Sequence, residues 1–144
     1  MPDTKTINHE VQHGIYMFNG KVWRSTSWED LFKDVDGSKV IVYYGNTLCG
    51  ACMAFNIVWN SVASVVKEKF DDVKLAAVMC GWFEERCQSN EARELFAKNR
   101  VWGTPTIVAY CVKDGVVKEL DRAEGTMTTD QLVEFIMKNR KKNC

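Results

Sequence analysis

Two cysteines three residues apart, Cys49 and Cys52, are the side chains of this chain best suited to chemistry. A thiol becomes a nucleophile when it loses its proton, and a second thiol within reach can close a disulfide with it. Such a pair needs a place that favours the thiolate. Upstream, Val40-Ile41-Val42-Tyr43-Tyr44 is an uninterrupted run of β-branched and aromatic residues and reads as a buried strand. Gly45-Asn46-Thr47 breaks that run. Downstream, Phe55, Val58, Trp59, Val62, Val65 and Val66 recur every three or four residues, as on one face of a helix. Cys49 therefore falls on a strand-to-helix turn, with its sulfur over unpaired N–H groups and the positive end of the helix dipole. Cys52 is placed to resolve a mixed disulfide. The pattern is that of a two-thiol redox centre.

The other four cysteines, Cys80, Cys87, Cys111 and Cys144, are read singly. Cys80 and Cys87 admit three readings: a disulfide closing a short loop, two unrelated thiols, or a four-thiolate zinc site completed by Cys49 and Cys52. The six residues between them are wider than the usual metal knuckle. Between them lie Trp82 and Phe83, which either cover the sheet edge, the plainer reading, or form an apolar lip beside the active pair. Cys111 lies within a strand pattern and reads as a small buried apolar residue. Cys144 is at a frayed end and pairs only adventitiously. His9 and His13 are far in sequence from the cysteines and read as surface imidazoles.

The whole chain constrains what these groups can serve. Its 144 residues suit one compact domain, and 46% hydrophobic content with two prolines excludes a disordered or collagen-like class. Nineteen basic and nineteen acidic residues cancel, which argues against nucleic acid or an anionic membrane as the main partner. The basic stretch from Lys138 to Lys142 reads as a solvated helix end. No apolar stretch approaches a membrane span. Met1 to Glu10 is polar and lacks an apolar signal core, so a cytoplasmic setting is expected, and an oxidising one if a signal had been removed. Residues 1–12 read as a mobile arm and 13–144 as a single domain.

Taken in order, Ile15 to Phe18 and Lys21 to Arg24 flank Asn19-Gly20, the turn pair that suits a two-residue hairpin. Thr26 with Glu29 suggests a capping box for a short helix through about Lys33, ended by Asp36-Gly37. The strand at 39–44, the helix to about Phe70 and a strand from Val73 to Met79 follow. Ser89 caps a helix through about Asn99 with Ala92, Leu95 and Phe96 turned inward. Thr106 to Val112 and Val116 to Leu120 form a hairpin about Asp114-Gly115, and Thr128 with Gln131 caps a last helix. Trp23, Trp28, Trp59 and Trp102 lie in or beside amphipathic elements and are expected in the core. Hairpin, helix, then β-α-β-α-β-β-α makes an α/β sandwich with a mixed sheet.

That order, Cys49-Gly50-Ala51-Cys52 and the later Thr104-Pro105-Thr106 together resemble the thioredoxin superfamily over roughly residues 22 to 140. The resemblance implies a thioredoxin fold with an N-terminal hairpin extension. It also implies that Cys49 attacks, that Cys52 is the buried resolving thiol, and that Pro105 is a cis-proline facing the pair. Leu48, Gly50, Ala51, Thr104 and Pro105 would form the substrate-facing surface, with Thr104 offering backbone groups to an extended peptide. Gly103 would permit close backbone approach. The function so implied is thiol–disulfide exchange on protein disulfides, in the reducing direction. It would need no organic cofactor and no metal, and would work in a monomer recycled by a reductase or oxidase partner.

Four departures qualify the likeness. Leu48 stands where the family often carries Trp. The middle pair is Gly-Ala, with no histidine to stabilise a thiolate as in the strongly oxidising members. Tyr43 occupies the site of a buried acid that takes the resolving thiol's proton, and a phenol is a poor base at neutral pH. The lysine that partners this acid is missing, since Lys74-Leu75-Ala76-Ala77 puts alanines nearer its site. The segment carrying Cys80 to Cys87 is longer than in a minimal thioredoxin. Slow release of mixed disulfides, or proton transfer by water, is the expected consequence. These departures also motivate two other readings. One is an oxidant or isomerase of the protein disulfide isomerase type. The other is a redox-inactive binding module on the same fold, with structural or zinc-holding cysteines.

Overall fold

The computed structural model describes residues 3–35 and 37–144, so the Met1-Pro2 end and the expected stop at Asp36 lie outside the described residues. Its elements are β1 (Gly14–Phe18), β2 (Trp23–Thr26), α1 (Trp28–Leu31), β3 (Lys39–Asn46) and α2 (Gly50–Lys69). They continue with β4 (Val73–Cys80), α3 (Asn90–Lys98), β5 (Thr106–Lys113), β6 (Val116–Glu124) and α4 (Thr129–Arg140). The strands form one mixed sheet in the order β2-β1-β4-β3-β5-β6. Only β3 and β4 pair in parallel. No helix among the described residues is long and apolar enough to cross a membrane.

Why β3 is central follows from its composition. All eight of its residues are buried, so both faces must be covered. Ile41 and Tyr43 point into one core with Phe55, Trp59 and Val62 of α2 and Leu132, Phe135 and Ile136 of α4. Val40, Val42 and Tyr44 point into the other with Leu31, Leu95 and Phe96 from the α1 and α3 side. The two-residue alternation of a strand thus sorts one apolar run into two cores. Each fully buried side chain of this size contributes about 1.5–3 kcal/mol.

The N-terminal region departs from expectation. The hairpin forms, but β1 lies between β2 and β4, antiparallel to β4 with Gly14 opposite Met79, so it is an integral part of the sheet. Its tip is Gly20-Lys21, one residue past the expected pair, because the Asn19 amide oxygen accepts the N–H groups of Lys21 and Val22, both at 2.8 Å. Residues 3–12 are not a free arm. Thr4 pairs with Trp23, Ile7 is fully buried, and the Asn60 side chain holds both the N–H (2.9 Å) and the carbonyl (2.8 Å) of Ile7. The cap of α1 is Ser27, whose hydroxyl accepts from the Asp30 N–H, and not Thr26. Ser89 caps α3, and Thr128 with Gln131 forms the capping box of α4.

Cys111 and Cys144 also correct the sequence reading: they are joined by a disulfide across 33 residues, which ties the segment after α4 to β5. Closing a loop of that length restricts the unfolded chain by about 3–4 kcal/mol. Cys144→Ser is expected to lower the melting temperature by roughly 6–12 °C under non-reducing conditions. Thermal unfolding followed by circular dichroism checks this, and an unchanged melting temperature would show that the bond does not constrain the chain.

Candidate active site

Cys49 is the N-cap of α2, with extended backbone (φ −100°, ψ 117°), and its Sγ accepts the Cys52 N–H at 3.1 Å. The helix can start there because β3 ends at Asn46 and the Cys49 N–H donates to the Asn46 carbonyl at 3.2 Å, turning the chain tightly. A thiolate sulfur is suited to an N-cap for the reason a serine oxygen is: it accepts an otherwise orphaned amide. Cys49 is nearly buried and Cys52 fully so.

Facing them is Thr104-Pro105, joined by a cis peptide bond. The Cys49 thiol donates to the Thr104 carbonyl at 3.7 Å. Around this pair Leu48 (58% exposed), Gly50 and Ala51 are open to solvent. Thr104 is half-buried and Pro105 buried. At Gly103 the nearest atom to an added Cβ would be a Glu124 carboxylate oxygen at 3.9 Å, so the fold itself does not demand glycine there.

Beneath the pair, Tyr43 fills the buried position below Cys52. Its hydroxyl donates to Asn56 Oδ1 at 2.7 Å, and burial, reinforced by the Cys52 and Cys49 sulfurs, pushes its pKa far up. It stays protonated at any working pH and cannot serve as the base. A Cβ at residue 45 would stand 2.6 Å from that hydroxyl, so Gly45 and Tyr43, two apart on one strand face, are sterically matched. Ala77 lies opposite Tyr43 in the β3–β4 register, whereas the Lys74 ammonium donates to the carbonyls of Leu31 and Lys33, at the other end of the strand. Burial pushes the Cys52 thiol up to about 11, against the lowering contributed by donors from the Asn46 backbone and the Thr104 hydroxyl.

Cys80 and Cys87 are bonded to each other and close the loop after β4. Their sulfurs are therefore not available as thiolate ligands, and among the described residues no group of three or more His, Cys, Asp or Glu side chains is placed to hold a metal. The loop abuts the site through the backbone, with Thr47 N–H on the Cys80 carbonyl (2.9 Å) and Leu48 N–H on that of Gly81 (3.1 Å). Trp82 (42% exposed) shares an open depression with Leu48, Glu85 and Arg86, so it borders the motif. Phe83 instead turns inward to Phe96, with ring centroids 6.0 Å apart. Trp23 and Trp59 are buried and Trp28 half-buried, but Trp102, expected in the core, is 67% exposed beside the cis-proline segment.

Two residues escaped the sequence reading. Asn46, read as a strand breaker, is fully buried; its Nδ2 donates to Thr104 Oγ1 (3.1 Å) and its Oδ1 accepts the Phe83 N–H (2.8 Å). Its signal was a lone amide at the end of an otherwise apolar buried strand. His13, read as a surface imidazole, is half-buried against Gly81 and accepts the Gln88 N–H at 2.9 Å. Burial lowers its pKa.

No protein-family model matches the chain. Over 110 residues it is 28% identical to thioredoxin Y1, chloroplastic, of Arabidopsis thaliana, covering 76% of this chain and 54% of that protein. The chain thus spans about half the length of that curated relative. Among solved structures, the thioredoxin of Aeropyrum pernix superposes with a TM-score of 0.65 at 21% identity, over 90% of this chain and 97% of that one. The thioredoxin of Fasciola hepatica does so with 0.54 at 27% identity, over 77% and 89%. That of Thermus thermophilus gives 0.56 at 25%, over 80% and 82%. The fold is the thioredoxin fold.

Proposed function

We propose that this chain, a member of the thioredoxin superfamily, is a thiol–disulfide oxidoreductase that reduces protein disulfides through Cys49 and Cys52. The observation that carries this is the geometry of Cys49. It is a nearly buried N-cap sulfur on the Cys52 amide, set against the carbonyl that precedes a cis-proline, with an exposed apolar rim alongside. The Cys49 thiolate attacks one sulfur of a substrate disulfide; a mixed disulfide forms and the other substrate sulfur leaves as a thiolate that takes up a proton. Cys52, losing its proton, attacks the Cys49 sulfur and expels the second substrate thiolate. Two electrons pass from the dithiol to the substrate, and a reductase partner returns them. An extended substrate segment would lie along Thr104 and Pro105.

A second reading, disulfide formation or isomerisation, is favoured by the two further disulfides, since such bonds persist mainly in oxidising compartments. The reductase reading goes with a cytoplasmic setting and the second with an oxidising one. A glutathione redox titration with alkylation and peptide mapping of all six cysteines separates them. The reductase reading expects a Cys49–Cys52 couple at or below about −250 mV, whereas a value at or above about −200 mV makes the protein an oxidant or isomerase. If Cys49 and Cys52 never pair, the oxidoreductase reading fails and the binding module replaces it.

A further inference from the structure

Resting on the oxidoreductase reading, we propose that the cavity between the Cys80–Cys87 loop and the end of α3 is a substrate subsite. It takes a cationic side chain, Arg or Lys, from the extended polypeptide whose disulfide Cys49 attacks. The cavity measures about 140 Å³. Phe96 and Val101, both buried, and the half-buried Phe83 give it an apolar lining. Its outer wall is Trp102, which is 67% exposed. An indole left in water forgoes the burial that Trp23 and Trp59 gain, and apolar surface of this kind beside a reactive centre is what a docking partner covers. Glu84 and Glu85 line the same cavity and are exposed. Among the described residues neither carboxylate forms an ion pair.

Apolar walls and free carboxylates together define the occupant. An apolar side chain would fill the cavity and leave both carboxylates without a partner, and an acidic one would be repelled. A Lys or Arg lays its methylene stem along apolar surface and keeps its charged head at the rim, where the indole face adds a cation–π contact. The chain's own cations do not meet this demand. Among the described residues, no Lys or Arg lines the cavity. Arg93 is held on the Cys87 carbonyl, and Arg122 by Glu119 and the carbonyls of Asn99 and Arg100. Arg86 shares the adjoining depression with Glu85 but forms no ion pair with it.

The cavity is also within reach of the reacting sulfur. Trp102 precedes Thr104 by two residues, about 7 Å of chain at most. The Thr104 carbonyl in turn accepts the Cys49 thiol at 3.7 Å. Glu85 lines both the cavity and the depression beside Leu48, so the two are continuous along the rim of the motif. An extended segment rises about 3.3 Å per residue, which puts the occupant about two to four residues from the attacked cysteine. The walls are preformed. The Cys80–Cys87 disulfide closes the loop, the Gly81 and Trp82 N–H groups both reach the Arg86 carbonyl at 2.8 and 3.0 Å, and the Val101 N–H donates to the Phe96 carbonyl at 3.0 Å. Little ordering is left to be done on binding.

The test uses the full chain and extended peptides of about ten residues, with Arg placed about three residues to each side of one cysteine. Counterpart peptides carry citrulline, the neutral isostere of Arg, or Glu at both places. For binding, the peptide cysteine is replaced by Ser and each peptide is titrated into isotopically labelled protein followed by NMR. The Trp102 indole signal is assigned by its loss in Trp102→Ala. For turnover, the peptide cysteine carries a mixed disulfide with a chromogenic thiol, and kcat/KM is measured. The Arg peptide should bind about tenfold more tightly than the citrulline peptide and be reduced with a kcat/KM higher by a similar factor, with the Glu peptide weakest. High salt should shrink the preference. Glu84→Gln with Glu85→Gln should bring the Arg and citrulline peptides within about twofold of each other. Trp102→Ala should weaken both by about fivefold, because the ring covers the stem of each. Ratios between peptides cancel any effect of a substitution on Cys49 itself. Arg and citrulline peptides that behave alike in the parent, or a preference that survives in the double Glu variant, would overturn the proposal. So would self-association that raises the sedimentation coefficient with protein concentration and is lost in Trp102→Ala, since a second copy would then be the occupant. A chain that binds the Arg peptide selectively but never reduces its disulfide would sink the oxidoreductase reading and leave the subsite standing as a peptide-binding site.

Discussion

Cys49→Ser is expected to lower the reduction of a disulfide-bonded protein at neutral pH by at least about a thousandfold, the largest effect on activity that any single substitution here should have. A serine hydroxyl stays protonated near neutrality and is a poor nucleophile towards sulfur, and the fold offers no substitute. Cys52 is fully buried behind the first turn of α2, and burial pushes its thiol up to about 11, so little of it is ionised at pH 7. Cys80, Cys87, Cys111 and Cys144 are spent in disulfides. Cys52→Ser should behave differently. It leaves the first attack intact but removes the thiol that expels the product, so a mixed disulfide on Cys49 should accumulate and be seen as a mass adduct under non-reducing conditions. The two variants together assign the order of attack. A Cys49→Ser protein retaining more than about a tenth of parental turnover would remove Cys49 from the mechanism.

The placement of Cys49 and Cys52 at a strand-to-helix turn, and the strand and helix themselves, were legible because each rests on a local signal. A run of β-branched and aromatic residues ended by Gly45-Asn46-Thr47 favours a strand buried on both faces, and threefold and fourfold apolar spacing favours one side of a helix. The caps of α3 and α4 were legible for the same reason, being side chain and amide within three residues. What stayed hidden depends on contacts far apart in sequence. The polar composition of residues 3–12 says nothing of Asn60, which satisfies the backbone of Ile7 from 53 residues away. A hairpin signal identifies the pairing of β1 with β2 but not which of them meets β4. Cys111 was classed by its strand and Cys144 by its place in the chain, and neither criterion sees a partner.

Tyr43 illustrates how a departure from a family pattern can be read correctly and still be incomplete. That a phenol makes a poor base followed from its type alone. That the phenol needs Gly45 to make room and Asn56 Oδ1 to accept its hydrogen bond did not, because both conditions are set by the pleat of β3 against α2. The polar groups that remain beside Cys52 come from Asn46 and Thr104. These donors lower the cost of forming the thiolate, and Tyr43, which keeps its own proton, does not carry the thiol's proton away.

Trp59→Ala is the substitution expected to damage stability most, by about 3–5 kcal/mol, with a fall of roughly 10 °C or more in melting temperature. Trp59 lies in the middle of α2, fully buried, with its ring 5.5 Å from that of Tyr43, 5.9 Å from Trp23 and 6.3 Å from Phe55. These rings join the hairpin, the central strand and the helix that carries Cys49 and Cys52. Truncation would open a cavity between elements that are already close-packed and cannot collapse into it. The indole contributes by volume and not by its polar end, since Nε1 is buried with no hydrogen-bond partner among the described residues. Trp59→Phe should therefore cost far less, about 1 kcal/mol, because the smaller ring loses some contact while removing an unsatisfied donor. Denaturant unfolding of the reduced and oxidised forms of both variants would measure the difference. Equal destabilisation by Phe and Ala would mean that the indole N–H, and not the ring, is what this core requires. A large gap in favour of Phe would establish the aromatic stack as the platform on which the helix behind Cys49 and Cys52 stands.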